Sequence, residues 1–170
     1  DPVTTNSYRY FKLTVRAGVS ANSAPNLSEM ALRVGSISYP NGSAWSATAT
    51  ERNPLNAFDG NLDSRWGALN SLPASLTLDL GAGNFIAPTE LLLTPEWTGR
   101  AIGSFLLEGS VDGSNWQVLL DERGIPDSDW TRDMARSFVV GSSSATTYTL
   151  NISSSNGSVA KSPNKSAYDR

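Results

Sequence analysis

Apolar and polar residues alternate along much of the chain. The pattern is clearest in YRYFKLTVRA (residues 8–17) and in SLTLDLG (residues 75–81). A period of two is typical of a half-buried β-strand. Shorter apolar segments predict further strands at residues 30–40, 91–93, 135–141 and 146–152.

One segment has the pattern of a β-hairpin. The stretch SFLLEGSVDGSNWQVLLDERG (residues 104–124) places Asp-Gly between two apolar runs, which is a strong hairpin signal. Helix signals are limited to single turns, one in NLSEMALRV (residues 26–34) and one in NPLNAFDG, where Pro54 would take the first helical position. About eight short strands with turns between them predict an all-β sandwich or barrel.

Composition narrows the classes of function. The chain has 170 residues, a formal net charge of -3, no Cys and no His. The acidic balance argues against a nucleic-acid partner, and no apolar run approaches the ~18 residues of a membrane span. Without His or Cys, the commonest general base and the thiolate nucleophile are both missing. We therefore predict that the protein is not an enzyme.

The length fits one domain, which we place at residues 1–152. The remaining stretch, SSSNGSVAKSPNKSAYDR (residues 153–170), contains almost no apolar residues. This composition predicts a flexible tail, or an arm that docks on a partner or on a neighbouring subunit.

The loop NPLNAFDGNLDSRWG (residues 53–67) concentrates oxygen donors beside a tryptophan. Asp59, Asn61 and Asp63 alternate around Gly60, which leaves three interpretations open: a polar turn, a catalytic carboxylate pair, or a metal loop. The spacing begins like an EF-hand but lacks the glycine at position six and the glutamate at position twelve. A calcium loop of another kind would need one more carboxylate from elsewhere in the chain.

Several segments together resemble the galactose-binding-like jelly rolls. The segment NAFDGNLDSRW is similar to the signature loop of discoidin or coagulation-factor type C domains and of family 32 carbohydrate-binding modules. SLTLDLG and the 104–124 hairpin resemble their strands in the same order. The resemblance covers residues 8–152 and implies a jelly-roll β-sandwich. YRYFKLTV and LSEMALRV precede the signature loop instead of closing the domain, an order similar to that of phage tail and virion proteins.

The resemblance also implies a structural calcium ion. Its ligands would be two carboxylates, several backbone carbonyls and a hydroxyl, from Ser28, Glu29, Asn56, Asp59, Asn61 and Ser64. Trp66 would fill the core beneath the loop, and Asp63 would be solvated.

The resemblance also implies a sugar-binding face in loops at one end of the sandwich. Sugar rings stack on aromatic side chains, and planar polar groups bridge their hydroxyls. The candidates by composition are Trp45, Glu96, Trp97, Arg100 and Trp130. The alternative for each Trp is a half-buried position at the sandwich edge. Trp116, in the hairpin, is expected to be structural.

The predicted fold and candidate sites suggest two functions. The first is a non-catalytic carbohydrate-binding and adhesion module that recognises a cell-surface glycan or polysaccharide. The second is a structural phage virion protein, such as a capsid decoration, tail or fibre component, that uses the jelly roll as a scaffold and contacts other virion proteins. Either function predicts an extracellular or virion location, and a homo-oligomer is compatible with both.

Overall fold

The computed structural model describes residues 7–21, 23–67 and 69–141. The strand expected at residues 146–152 and the tail at residues 153–170 lie outside the described residues. The described residues form eleven strands and three short 3-10 helices. The strands are β1 (Tyr10–Gly18), β2 (Asn26–Leu27), β3 (Glu29–Val34), β4 (Ile37–Tyr39), β5 (Ser46–Ala49), β6 (Trp66–Gly67), β7 (Ala74–Asp79), β8 (Glu90–Thr94), β9 (Ile102–Ser110), β10 (Trp116–Glu122) and β11 (Arg136–Val139). The 3-10 helices are Pro54–Ala57, Thr98–Arg100 and Asp127–Asp129.

The strands form two main antiparallel sheets. One has the order β10-β9-β1-β7-β5 and the other the order β11-β8-β3-β4, while β2 and β6 make a separate two-stranded pair. The predicted all-β jelly-roll sandwich is confirmed, with nine strands in its two main sheets where the sequence suggested about eight. No helix in the described part of the chain is long and apolar enough to cross a membrane.

The alternating residues of β1 build the centre of the core. β1 pairs with β7 on one side and with β9 on the other, so that Leu13 lies opposite both Leu76 and Leu107. All three of these leucines are fully buried. A central strand that is covered on one face produces the period of two seen in the sequence.

The two sheets meet through large side chains. The ring of Phe105 from β9 packs edge-on against Phe138 from β11, with 5.0 Å between ring centroids and 85° between planes. Such T-shaped pairs stabilise more than their buried area alone accounts for. The inner faces are completed by Phe11, Val15, Met30, Leu32, Leu78, Leu91 and Leu93.

The structure corrects three local expectations. Residues 30–40 form a hairpin of β3 and β4 rather than one strand, because Gly35 adopts φ +59° in a two-residue loop. NLSEMALRV holds β2 and β3 and no helical turn. β5 was not expected, since its small residues give no apolar alternation. The turn at Pro54 is confirmed as a 3-10 helix.

We expect Phe105→Ala to lower the free energy of unfolding by about 3–5 kcal/mol, because it leaves a cavity between the sheets. Phe85→Ala is the matched control, since Phe85 is 47% exposed and its truncation should cost less than about 1 kcal/mol. Urea denaturation of both variants measures the difference. Equal losses would contradict the inter-sheet role of Phe105.

Candidate functional site

The signature loop is held by its own side chains. Asn53 caps the 3-10 helix Pro54–Ala57 by accepting a hydrogen bond from Leu55 N. Further along, Asn61 N donates to Asp59 Oδ1 at 2.9 Å and Asp63 N donates to Asn61 Oδ1 at 3.0 Å. Such Asx turns explain why short amide and carboxylate side chains occupy these positions.

Several oxygens of the loop converge on one hydroxyl. Ser64 Oγ lies 2.6 Å from Asp59 Oδ2, 3.0 Å from the carbonyl of Asn61 and 3.5 Å from the carbonyl of Asn56. A single hydroxyl has one proton and cannot donate fully to three acceptors. The loop therefore gathers more acceptors than its own donors satisfy.

Glu29 approaches this cluster from the first position of β3. One oxygen of its carboxylate, Oε1, is buried and has no hydrogen-bond partner among the described residues. Burial raises the pKa of Glu29 to about 7, and the nearby charge of Asp59 adds to this effect. For Asp59, desolvation acts to raise the pKa, but hydrogen bonds from Ser64 Oγ and Asn61 N outweigh it and hold that pKa below its usual value.

The donor set suits a hard cation such as calcium. Calcium binds carboxylate and backbone carbonyl oxygens, which are the groups that meet here. Within the described ranges, no cluster of three or more His, Cys, Asp or Glu side chains could hold a metal, so carbonyls would have to complete the set. The unpartnered buried oxygen of Glu29 is the observation that fits a cation best, since buried acceptors are rarely left unpaired.

The predicted metal residues come together. The loop residues Asn56, Asp59 and Asn61 surround the hydroxyl of Ser64, and Glu29 faces this cluster. Ser28 is fully buried, and its Oγ donates to the carbonyl of Leu62 at 3.2 Å, which ties the start of β3 to the loop.

The predicted ligand residues are only partly presented to solvent. Trp97 is 49% exposed, and the Arg132 guanidinium lies 3.9 Å from the centroid of its ring. Arg100 is exposed on the same turn. Glu96 accepts hydrogen bonds from Asn26 Nδ2 at 2.9 Å and from Arg65 Nη1 at 2.6 Å.

Two other tryptophans are more buried than a side chain that stacks on a sugar ring would be. Trp45 is half-buried and packs against Phe58, with 5.5 Å between ring centroids. Trp130 is only 5% exposed and packs against Phe138, so our expectation that it faces a ligand does not fit its position. The polar residues that flank Trp130 in sequence lie on a short surface turn, whereas the ring itself turns inward.

Sequence reasoning missed a polar depression beside the signature loop. It has a volume of about 480 Å³ and is lined by Arg52, Asn53, Asn56, Asp63, Ser64, Arg65 and Gly67. Two of these, Asn56 and Ser64, are also candidate metal ligands. Arg52 and Arg65 were visible in the sequence, but nothing there placed both of them at one depression. Arg132, which covers Trp97, carried no sequence signal.

The family model of the NedA-like, galactose-binding domain matches residues 56–157, which is more than half of the chain. The chain belongs to this family. No curated protein and no solved structure matches it significantly. The family match begins at Asn56, so β1 to β5 precede it, although β1 occupies the centre of the larger sheet.

The raised pKa of Glu29 predicts a pH dependence for metal-free protein. Because the folded pKa of about 7 exceeds the ordinary 4.5, the folded state binds the proton more tightly than the unfolded chain. The free energy of unfolding should therefore fall as the pH rises between these two values. Denaturation in chelator at about pH 5 and about pH 8 measures the fall. Glu29→Gln should remove it, and an unchanged pH dependence in that variant would contradict the assignment.

Proposed function

We propose that this domain is a non-catalytic module that binds glycans through the loop at residues 95–101. The observation that carries the proposal is the exposure of Trp97 on this loop, at 49% of its surface. Large aromatic side chains are usually buried, and an exposed tryptophan beside an arginine is typical of a binding surface. Membership of a galactose-binding domain family supports sugar as the ligand.

The surroundings of Trp97 suit a stacking platform. Arg132 lies against its ring and restricts the rotation of the indole, so less side-chain entropy would be lost on binding. Arg100, on the same turn, would supply hydrogen-bond donors to sugar hydroxyls. Glu96 is fixed by two donors and would accept from a hydroxyl without reorganising.

The proposal includes a structural calcium ion at the signature loop. Glu29 and Asp59 would contribute carboxylate oxygens, and the other ligands would be Ser28, Asn56, Asn61 and Ser64. When bound, the ion would neutralise two neighbouring carboxylates and connect β3 to the loop. Its role would be to stabilise the fold, since ions that bind only the folded state favour that state.

A structural role in a phage virion is our second candidate. It is supported by the strand order, because β1 and β3 precede the family match and still lie within the two main sheets. The resemblance of the sequence to phage tail and virion proteins is what suggests this role. In that case the jelly roll would serve as a scaffold, and the protein would act outside a cell or on the virion.

We expect a screen of glycans to identify ligands whose affinity falls at least about tenfold in Trp97→Ala. Phe85→Ala is the matched control, because it truncates another half-exposed aromatic at a different loop. Isothermal titration of the best ligand measures both variants, and circular dichroism checks their folding. A wild-type protein that binds no glycan would contradict the proposal and favour the virion role.

Calcium at 100 times its dissociation constant should add about 2.7 kcal/mol to the free energy of unfolding. Glu29→Gln keeps the size of the side chain but removes its charge, so calcium should stabilise this variant much less. Melting curves with calcium and with chelator provide the measurement. A calcium-loaded wild-type protein whose melting temperature is unaffected by chelator would refute the structural ion.

A further inference from the structure

We infer that the depression beside the signature loop binds the anionic group of an acidic sugar, a carboxylate or a sulfate. The inference rests on the proposed glycan-binding function and specifies its ligand class. The residues that carry it are Arg52 and Arg65, which lie on the wall of the same depression. Paired guanidinium groups suit planar or tetrahedral oxyanions, which they bind through several hydrogen bonds at once.

The depression has the size of a sugar site. Its volume of about 480 Å³ falls within the roughly 300–1,000 Å³ usual for small-molecule sites. It opens to solvent at the surface of the loop and does not extend into the core, where Trp66 is fully buried. A terminal or branching sugar of a larger glycan could therefore enter it without displacing any core residue.

Arg52 is held in an unusual backbone conformation. Its φ of +63° lies in the left-handed region, which residues other than glycine adopt only rarely. Asn53 directly after it caps the 3-10 helix of the signature loop, so the chain turns sharply between β5 and that helix. Backbone outliers of this kind concentrate at binding sites, where the direction of one side chain matters.

A carboxylate orients Arg65, but it occupies only part of the hydrogen-bond donors of the guanidinium. Its Nη1 donates to Glu96 Oε1 at 2.6 Å, which uses one of the five N–H groups of the guanidinium. The side chain remains 41% exposed, whereas that of Glu96 is only 12% exposed. Because Glu96 binds one nitrogen of the Arg65 guanidinium, the remaining N–H groups are available to a ligand.

The remaining lining favours a sugar over a bare inorganic anion. Asn53 and Asn56 bring amide groups to the wall, and Asp63 brings a carboxylate. The carboxylate would repel a free anion but would accept hydrogen bonds from sugar hydroxyls. A ligand with one anionic group and several hydroxyls satisfies both kinds of lining at the same time.

Glu96 connects the depression to the stacking platform. It is bonded to Arg65 on the wall of the depression and directly precedes Trp97 in the chain. A glycan could therefore stack one sugar on Trp97 and direct an acidic neighbour toward the arginines. The two parts would make separate contributions to affinity.

The test compares glycans that end in glucuronic acid, sialic acid or a sulfated sugar with their neutral parents. Titrations in calcium should show at least about tenfold tighter binding of an acidic glycan. Arg52→Gly should abolish this preference while keeping the fold, because glycine adopts positive φ readily. Arg65→Gln should reduce the preference as well. Arg123→Gln is the charge-matched control, since that exposed arginine directly follows β10 and pairs with Asp121.

Each outcome bears on the inference. An acidic preference that is lost in Arg52→Gly and kept in Arg123→Gln supports it, whether carboxylates or sulfates are preferred. Equal binding of acidic and neutral glycans, with dependence on Trp97, overturns this inference and leaves the proposed function standing. An acidic preference that survives both Arg52→Gly and Arg65→Gln also overturns it. Absence of all glycan binding overturns both the inference and the proposed function.

Discussion

The burial of Trp66 fixes the position of the candidate functional groups of this domain. Its ring is fully buried, and its Nε1 donates to the carbonyl of Glu51 at 2.7 Å. Trp66 also pairs with Leu27 across the short β2–β6 ladder. This pairing needs Gly67, because any side chain there would overlap Asn26. Two residues beyond Leu27 lies Glu29, so one buried indole brings the start of β3 against the signature loop.

That arrangement creates an electrostatic problem at the loop. The carboxylates of Glu29 and Asp59 lie side by side, and both the burial of Glu29 and this neighbouring like charge disfavour its ionisation. Ser64 and the loop amide of Asn61 stabilise the charge on Asp59, so Glu29 is the group that takes up the proton. A divalent cation would solve the same problem without a proton. Competition between the two would make metal affinity depend on pH.

The sequence predicted the strands and their burial better than it predicted the ligand-binding surface. Alternation in β1 and β7 identified buried strands because half-buried strands have a period of two, and the Asp-Gly turn identified β9 and β10. The same logic failed for β5, whose Ser, Ala and Thr residues carry no apolar signal. The candidate metal residues could be named because the family resemblance pointed to one contiguous loop and to the start of β3.

The ligand surface was harder to predict because it depends on side-chain orientation. Trp97 and Trp130 both occur among polar residues, yet one is half exposed and the other is buried against Phe138. Polar neighbours in the sequence indicate that the backbone lies near the surface. Whether the indole itself is buried depends on its side-chain rotamer. Arg132 reaches Trp97 from 35 residues away in the chain. Contacts of that range follow from the tertiary fold and from no local pattern.

Order in the loop and order in the binding surface are physically linked. Asn56 and Ser64 face the candidate metal position and also line the depression. From the other side, Glu96 holds Arg65 and Asn26 together, and Asn26 belongs to the β2–β6 ladder that carries Trp66. Whatever stabilises the loop therefore also reduces the freedom of the arginines and amides beside it. Because preorganised groups lose less entropy on binding, a purely structural ion would raise ligand affinity without touching the ligand.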